Sequence, residues 1–223
     1  MGRPVILRAA CVVALMTGIV PMPARADGTV PAREASASGL ALLQGIVSQV
    51  GAHSVVHADF VQTRTSALLS TPQVTRGSLV SVRERGIVWQ VRSPQPQTHV
   101  YGRQRSARFD AEGVLLSLDA QPSAVTAQIN EWANAFMRGD TSGLASQFEI
   151  VVTGSLNRWQ IALTPSQPQV AQVMRRLTLA GDTVVRTATL ETRRGESVRW
   201  QFDKVRTADP LDANEQRLLR AVE

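Results

Sequence analysis

The chain has 223 residues, enough for one buried core, and carries 24 lysines and arginines against 18 aspartates and glutamates, a formal charge of +6. A single cysteine, Cys11, rules out an internal disulfide and any site built from several thiolates. Lys204 is the only lysine, and the arginines are dispersed without interleaved aromatic residues, so the stacking stripe that single-stranded nucleic acid needs is missing.

Residues 1–26 read as a cleavable signal segment. Arg3 and Arg8 precede an apolar run that Pro21 and Pro23 break, and Ala24-Arg25-Ala26 supplies the small-x-small pattern of a cleavage site. The expected product is one domain over 27–223, exported, without cysteine, and with 21 basic against 18 acidic residues. No later segment approaches the ~20 apolar residues of a membrane-spanning helix. Dispersed charge of this kind reads as a solvated face.

Leu40, Leu43, Val47 and Val50 recur at helical spacing and predict a first helix over 39–50. From Val55 the period changes to two. Strands are expected at 55–64, 77–85, 86–92, 99–102, 107–110 and 114–118, with a hairpin turn at Ala111-Glu112-Gly113. After Pro122 the pattern turns helical again, and Val125, Ile129, Trp132 and Phe136 form one apolar stripe. A shorter helix is expected over 141–146.

Strands resume at 148–153, 158–164, 174–180, 184–191 and 197–205, joined by links short enough for antiparallel hairpins. Asp209-Pro210 then reads as an N-cap followed by proline at the first helical position, opening a helix through Leu218, Leu219 and Val222. The pattern is that of an α+β chain: a long antiparallel sheet with helices in the middle and at the ends, which must close, curl or be covered. Three strands carry large apolar groups in alternation: Ile87, Trp89 and Val91; Trp159, Ile161 and Leu163; Val198, Trp200 and Phe202. Such a face must be covered. The available cover is the stripe around Trp132 together with the first helix.

The segment Val56-His57-Ala58-Asp59-Phe60-Val61-Gln62, with Phe60 and Gln62 at its core, is similar to the first-strand signature of the LolA family, periplasmic carriers of outer-membrane lipoproteins. Gly77-Ser78-Leu79, then Arg83, Trp89 and Pro94, follow in the order and spacing of that family's next two strands. The matched stretch runs from Val56 to Pro94. Three departures stand out: Glu84 occupies the place of a proline, the plainer Ala107-Arg108-Phe109-Asp110 stands where the family has an aromatic-rich strand, and a helical 211–222 replaces the usual C-terminal strand and loop. They point to a divergent branch.

The resemblance implies a fold of class α+β, a curved antiparallel sheet forming an incomplete barrel closed by a helical lid, over an apolar cavity that takes acyl chains. The cavity lining would come from Leu79, Ile87, Trp89, Val91, Ile129, Trp132, Phe136, Trp159, Ile161, Trp200 and Phe202. Phe60, Gln62, Gly77 and Pro94 would be structural. Arg83 shares the parity of Leu79, so its guanidinium points to the same face and can donate to lid carbonyls; the expectation is a latch that yields when chains enter. The implied partners are lipoprotein acyl chains or another amphiphilic lipid, an inner-membrane release complex and an outer-membrane acceptor. A monomer without cofactor is expected.

Catalysis has little support. His53 and His57 lack the nearby carboxylate of an H-E-x-x-H site, no serine sits in a G-x-S-x-G elbow, and no phosphate-cradling glycine loop occurs. Three readings remain: an envelope carrier of lipidated proteins, a lipid-sensing regulator with the same cavity, and an envelope lipid hydrolase.

Overall fold

The structure, a computed structural model, describes residues 32–119, 145–207 and 209–223. Its first element is helix α1, Ala32–Gly51, which starts seven residues before the expected boundary at 39. Alanine, arginine and glutamate at 32–35 favour helix without contributing periodicity, so propensity extends the element beyond its packed part. Leu43, Ile46 and Val47 are the buried face of α1.

Eleven strands follow. They are β1 Val55–Thr65, β2 Gln73–Val82, β3 Gly86–Ser93, β4 Gln97–Tyr101, β5 Ser106–Phe109, β6 Leu115–Asp119, β7 Phe148–Ser155, β8 Arg158–Pro165, β9 Met174–Gly181, β10 Val185–Thr192 and β11 Ser197–Arg206. All pair antiparallel in one sheet of order β6-β5-β4-β3-β2-β1-β11-β10-β9-β8-β7. Two meanders, β1–β6 and β7–β11, are thus joined along one seam where β1 meets β11. Among the described residues β6 and β7 are free edges, so the sheet is open rather than closed into a barrel. One turn of helix, α2 (Pro168–Ala171), links β8 to β9, and α3 (Ala213–Arg220) ends the chain.

Directly opposed residues share a face, so the register sorts the sheet into two sides. On the first side the chain of partners runs Ile161–Leu179–Ala188–Trp200–Gln62–Thr75, and Phe60, Leu79, Trp89 and His99 lie on it too. Helix α1 covers the β7–β10 half of this side, where Leu43, Ile46 and Val47 pack with Phe148, Trp159, Ile161 and Leu163. Burying each such side chain is worth roughly 1.5–3 kcal/mol, so this packing fixes α1 to the second meander.

Helix α3 lies on the other side, against the first meander. Leu218, Leu219 and Val222 pack on Val80, Val82, Val88, Val100 and Phe109. The expected start of this helix at Asp209-Pro210 is corrected. Asp212 is the N-cap: its carboxylate accepts from Glu215 N at 2.7 Å, while the Glu215 carboxylate accepts from Asp212 N at 2.9 Å. That reciprocal box satisfies two orphan donors, whereas a proline downstream of Asp209 can satisfy none. The Asp209 carboxylate instead pairs with Arg206. Glu215 also meets the buried His57 Nε2 at 3.2 Å, which ties the start of α3 to β1.

Glu84 stands in the β2–β3 turn at φ +63°, a left-handed conformation. A proline ring locks φ near −65°, so the departure from the family pattern at this position follows from the turn. The same turn ends β2 at Val82, three residues short of the expected boundary.

Candidate lipid-binding groove

Among the described residues the first side of the sheet is filled under α1 and uncovered beside it. On the first meander a groove of about 310 Å³ is lined by Gln62, Thr75, Trp89, Val91, Pro94, Gln95, Gln97, His99 and Tyr101. That volume lies at the lower end of the ~300–1,000 Å³ usual for ligand sites.

Its floor is built by the F-x-Q motif and its partners. Phe60 is 1% exposed and its ring stands 4.1 Å from that of Trp89. Opposite Phe60 on β2 is Gly77, where a side chain would meet the Phe60 ring at 2.7 Å and the Gln90 carbonyl at 1.9 Å. Glycine here lets the aromatic ring lie across the neighbouring strand. Gln62, one step along the same face, accepts a hydrogen bond from the Trp200 indole at 2.8 Å across the seam. The motif thus holds the two meanders together and supports Trp89 from below.

The wall is polar but uncharged. His99 and Tyr101 alternate on β4 with rings 6.2 Å apart and nearly parallel. Burial, aided by the nearby Arg108 charge, pushes the His99 pKa below its ordinary value, so the ring is held neutral. Burial raises that of Tyr101, which keeps its hydroxyl protonated. Pattern reading missed Thr75, Gln95, Gln97, His99 and Tyr101. The signal was present: Val100 belongs to the opposite side, so its neighbours His99 and Tyr101 must face Trp89.

Arg83 lies at the far end of β2 from the groove rim. Its Nη2 donates to the carbonyl of Gly51, the last residue of α1, and its own N–H donates to Ser54 O at 2.9 Å. Helix α1 has no basic residue in its last turn, and Arg83 supplies a cation to that end from another element. Among the described residues the buried Arg83 Nε has no hydrogen-bond partner.

The remaining site residues divide. Trp89, Val91 and Pro94 line the groove. Leu79, Ile87, Trp200 and Phe202 share its side of the sheet and are half-buried. Trp159 and Ile161 share that side as well, but are 2% and 1% exposed in the filled core beneath α1. Ile129, Trp132 and Phe136 lie outside the described residues, as do the signal segment and most of the expected helix at 141–146.

The described residues thus form an open antiparallel sheet with one filled and one grooved half on the same side. The family model for outer membrane lipoprotein carrier protein LolA-like proteins matches residues 35–208, and the chain belongs to that family. Solved structures similar to it include a LolA superfamily protein from Nitrosomonas europaea, at 11% identity and TM-score 0.44 over 79% of this chain and 96% of that one. The Pseudomonas aeruginosa MucA/MucB complex matches at 17% and 0.48, with 81% of this chain and 60% of that chain covered. The Mycobacterium tuberculosis lipoprotein LppX matches at 11% and 0.43, covering 79% and 99%. No curated protein matches. Among the described residues no helix is long and apolar enough to cross a membrane.

Proposed function

We propose that the protein is a periplasmic carrier that shelters the acyl chain of a lipoprotein, or of a related amphiphile, on the grooved half of the sheet and moves it between envelope membranes. The observation that carries this reading is the asymmetry of one sheet face. Its α1-covered half is closed core, while among the described residues Trp89 and Val91, with Phe60 packed against Trp89, give an apolar floor to the groove beside it. Family membership supports the same reading.

The energetics require such a shelter. Burying methylenes yields ~0.8 kcal/mol each, so a sixteen-carbon chain gains roughly 12 kcal/mol on leaving water. A bare lipid anchor therefore crosses an aqueous compartment too slowly to be useful, and a carrier must bind it without outmatching the acceptor. A two-state element solves this by linking occupancy to closure. Arg83 is the residue proposed to bias it: its bond to the carboxyl end of α1 favours the docked helix, and release of that bond would loosen α1 when cargo enters. The inner-membrane donor, the outer-membrane acceptor and a monomeric working state belong to the same proposal, as does binding without catalysis.

The test is purification from the cell envelope followed by lipid mass spectrometry. An intact acyl-bearing amphiphile at near one-to-one stoichiometry is expected, with altered retention in Arg83→Leu. Recovery of an apo protein that takes up no fatty probe would contradict the reading.

A further inference from the structure

The arginines that look dispersed along the sequence are gathered by the antiparallel register. The β1–β2 loop, the start of β9 and the β10–β11 turn all emerge at one end of the sheet, because Thr65 opposes Ser197 and Met174 opposes Thr192. Arg64, Arg76, Arg175, Arg176, Arg193 and Arg194 lie there, and all six are exposed. Their acidic neighbours are Glu196, 2.7 Å from Arg64, and Glu191, 4.0 Å from Arg175; the other carboxylates at this end, Glu149 on β7 and Asp110 and Glu112 in the β5–β6 turn, lie towards the two edges of the sheet. Arg193 donates to the Ala171 carbonyl. Among the described residues no carboxylate pairs with Arg76, Arg176 or Arg194.

At the opposite end Arg85 pairs with Glu223, Arg186 with Asp182 and Arg206 with Asp209, while the exposed Arg103, Arg105 and Arg158 are spread over the β4–β5 and β7–β8 links, far apart in the strand order, rather than gathered.

The basic end also carries an apolar tip. Leu68 is 93% exposed at the crest of the β1–β2 loop. The crest is a closed turn, with Leu69 N donating to Ser66 O at 3.1 Å and Leu68 N to Ser66 Oγ at 3.2 Å, so the leucine is presented rather than trailing. Val173, beside Arg193, is 53% exposed at the same end. A solvated face has no use for leucine at full exposure, whereas an anionic bilayer rewards both features: its surface attracts arginines and its acyl boundary accepts the leucine.

We propose that this end of the sheet docks on an anionic phospholipid surface, with Leu68 entering the interface and the arginines lying over the headgroups. One edge of the groove reaches this end. Gln62 and Thr75, which line it, are within two residues of Arg64 and Arg76, and Pro94 and Gln95 belong to the β3–β4 link at this end. Docking therefore brings that edge of the groove to the bilayer. The assignment stands on charge and exposure, and does not require that the groove hold an acyl chain.

The test is co-sedimentation of the full chain with vesicles of phosphatidylcholine alone or mixed with phosphatidylglycerol, all variants sharing the same N-terminal segment. The parent should bind the phosphatidylglycerol vesicles preferentially, with affinity falling as salt shortens the Debye length from about 10 Å at 0.1 M to about 3 Å at 1 M. Each arginine near such a surface is worth about fivefold in affinity, so Arg76→Gln, Arg176→Gln and Arg194→Gln together should weaken binding about 100-fold. Leu68→Asp should weaken it about tenfold. Equal binding to both vesicle types overturns the proposal, as does retention of parental affinity by either variant. Capture by polyglutamate without binding to phosphatidylglycerol vesicles would also overturn it, and would assign the end to an acidic protein.

Discussion

Gln62 accepts a hydrogen bond from the Trp200 indole at 2.8 Å, and this bond crosses the one seam where the first and second meanders of the sheet meet. Replacing Gln62 by Leu removes the acceptor and leaves a half-buried N–H unpaired, at a cost of about 1–2 kcal/mol in urea denaturation. A double-mutant cycle with Trp200→Phe should return a coupling of about 1 kcal/mol. Additive effects would remove the bond from any role in joining the meanders.

Glycine matters at Gly77 and not at Gly39. A Cβ at Gly77 would lie 1.9 Å from the Gln90 carbonyl oxygen, and that oxygen belongs to a paired strand that cannot withdraw. Gly77→Ala should cost at least about 3 kcal/mol, or prevent folding. Gly39 is inside α1 with nothing within 4 Å of its notional Cβ, so Gly39→Ala should stabilise by up to about 1 kcal/mol. Thermal denaturation of the two variants checks both signs.

The β2–β3 turn supplies a third test. Glu84 at φ +63° carries the strain of a side chain in the left-handed region. Glu84→Gly should raise stability by about 0.5–1 kcal/mol, while Glu84→Pro, which restores the residue usual in the family, should lower it by about 3 kcal/mol or more. A proline variant as stable as the parent would show that the turn is not constrained in this way.

Stability should fall on acidification in two steps. The His99 pKa is held below 6.5 by burial and by Arg108, so the unfolded chain takes up its proton first; stability is intact above 6.5 and declines as pH falls from there towards the folded value. The carboxyl of Asp59 is held below 3.8, chiefly by its hydrogen bond from Arg92 with help from Lys204. Its contribution is present above 3.8 and is lost as pH falls through the folded value. Denaturation midpoints of His99→Gln should lack the first decline, and those of Asp59→Asn should show a shallower second one, to which Asp182, held low despite its desolvation by its bonds from Arg186 and Val184 N, also contributes. A parental profile in either variant would contradict the assignment.

Much of this architecture was legible because period-two alternation and short hairpin links act locally. Every strand appears within four residues of its expected boundary, and the apolar triplets Ile87-Trp89-Val91, Trp159-Ile161-Leu163 and Val198-Trp200-Phe202 do share one side. The misjudged features depend on partners distant in sequence. The extra residues of β2, from Gln73, are held by pairing with Arg64, which alternation cannot register. The single turn of α2 is too short to show a period. Polar groove residues such as Gln97 carry no signal until Val91 is found opposite. The gathering of Arg64, Arg176 and Arg194 at one end needs the complete strand order.

The central claim, that the groove beside Trp89 holds hydrocarbon, is tested most directly by nuclear Overhauser contacts from ¹³C-labelled palmitate to the isotope-labelled protein. Cross-peaks from the chain methylenes to the Trp89 indole and the Val91 methyls are predicted, and they should disappear in Trp89→Ala. Palmitate that binds without touching those groups, or does not bind at all, would contradict the account.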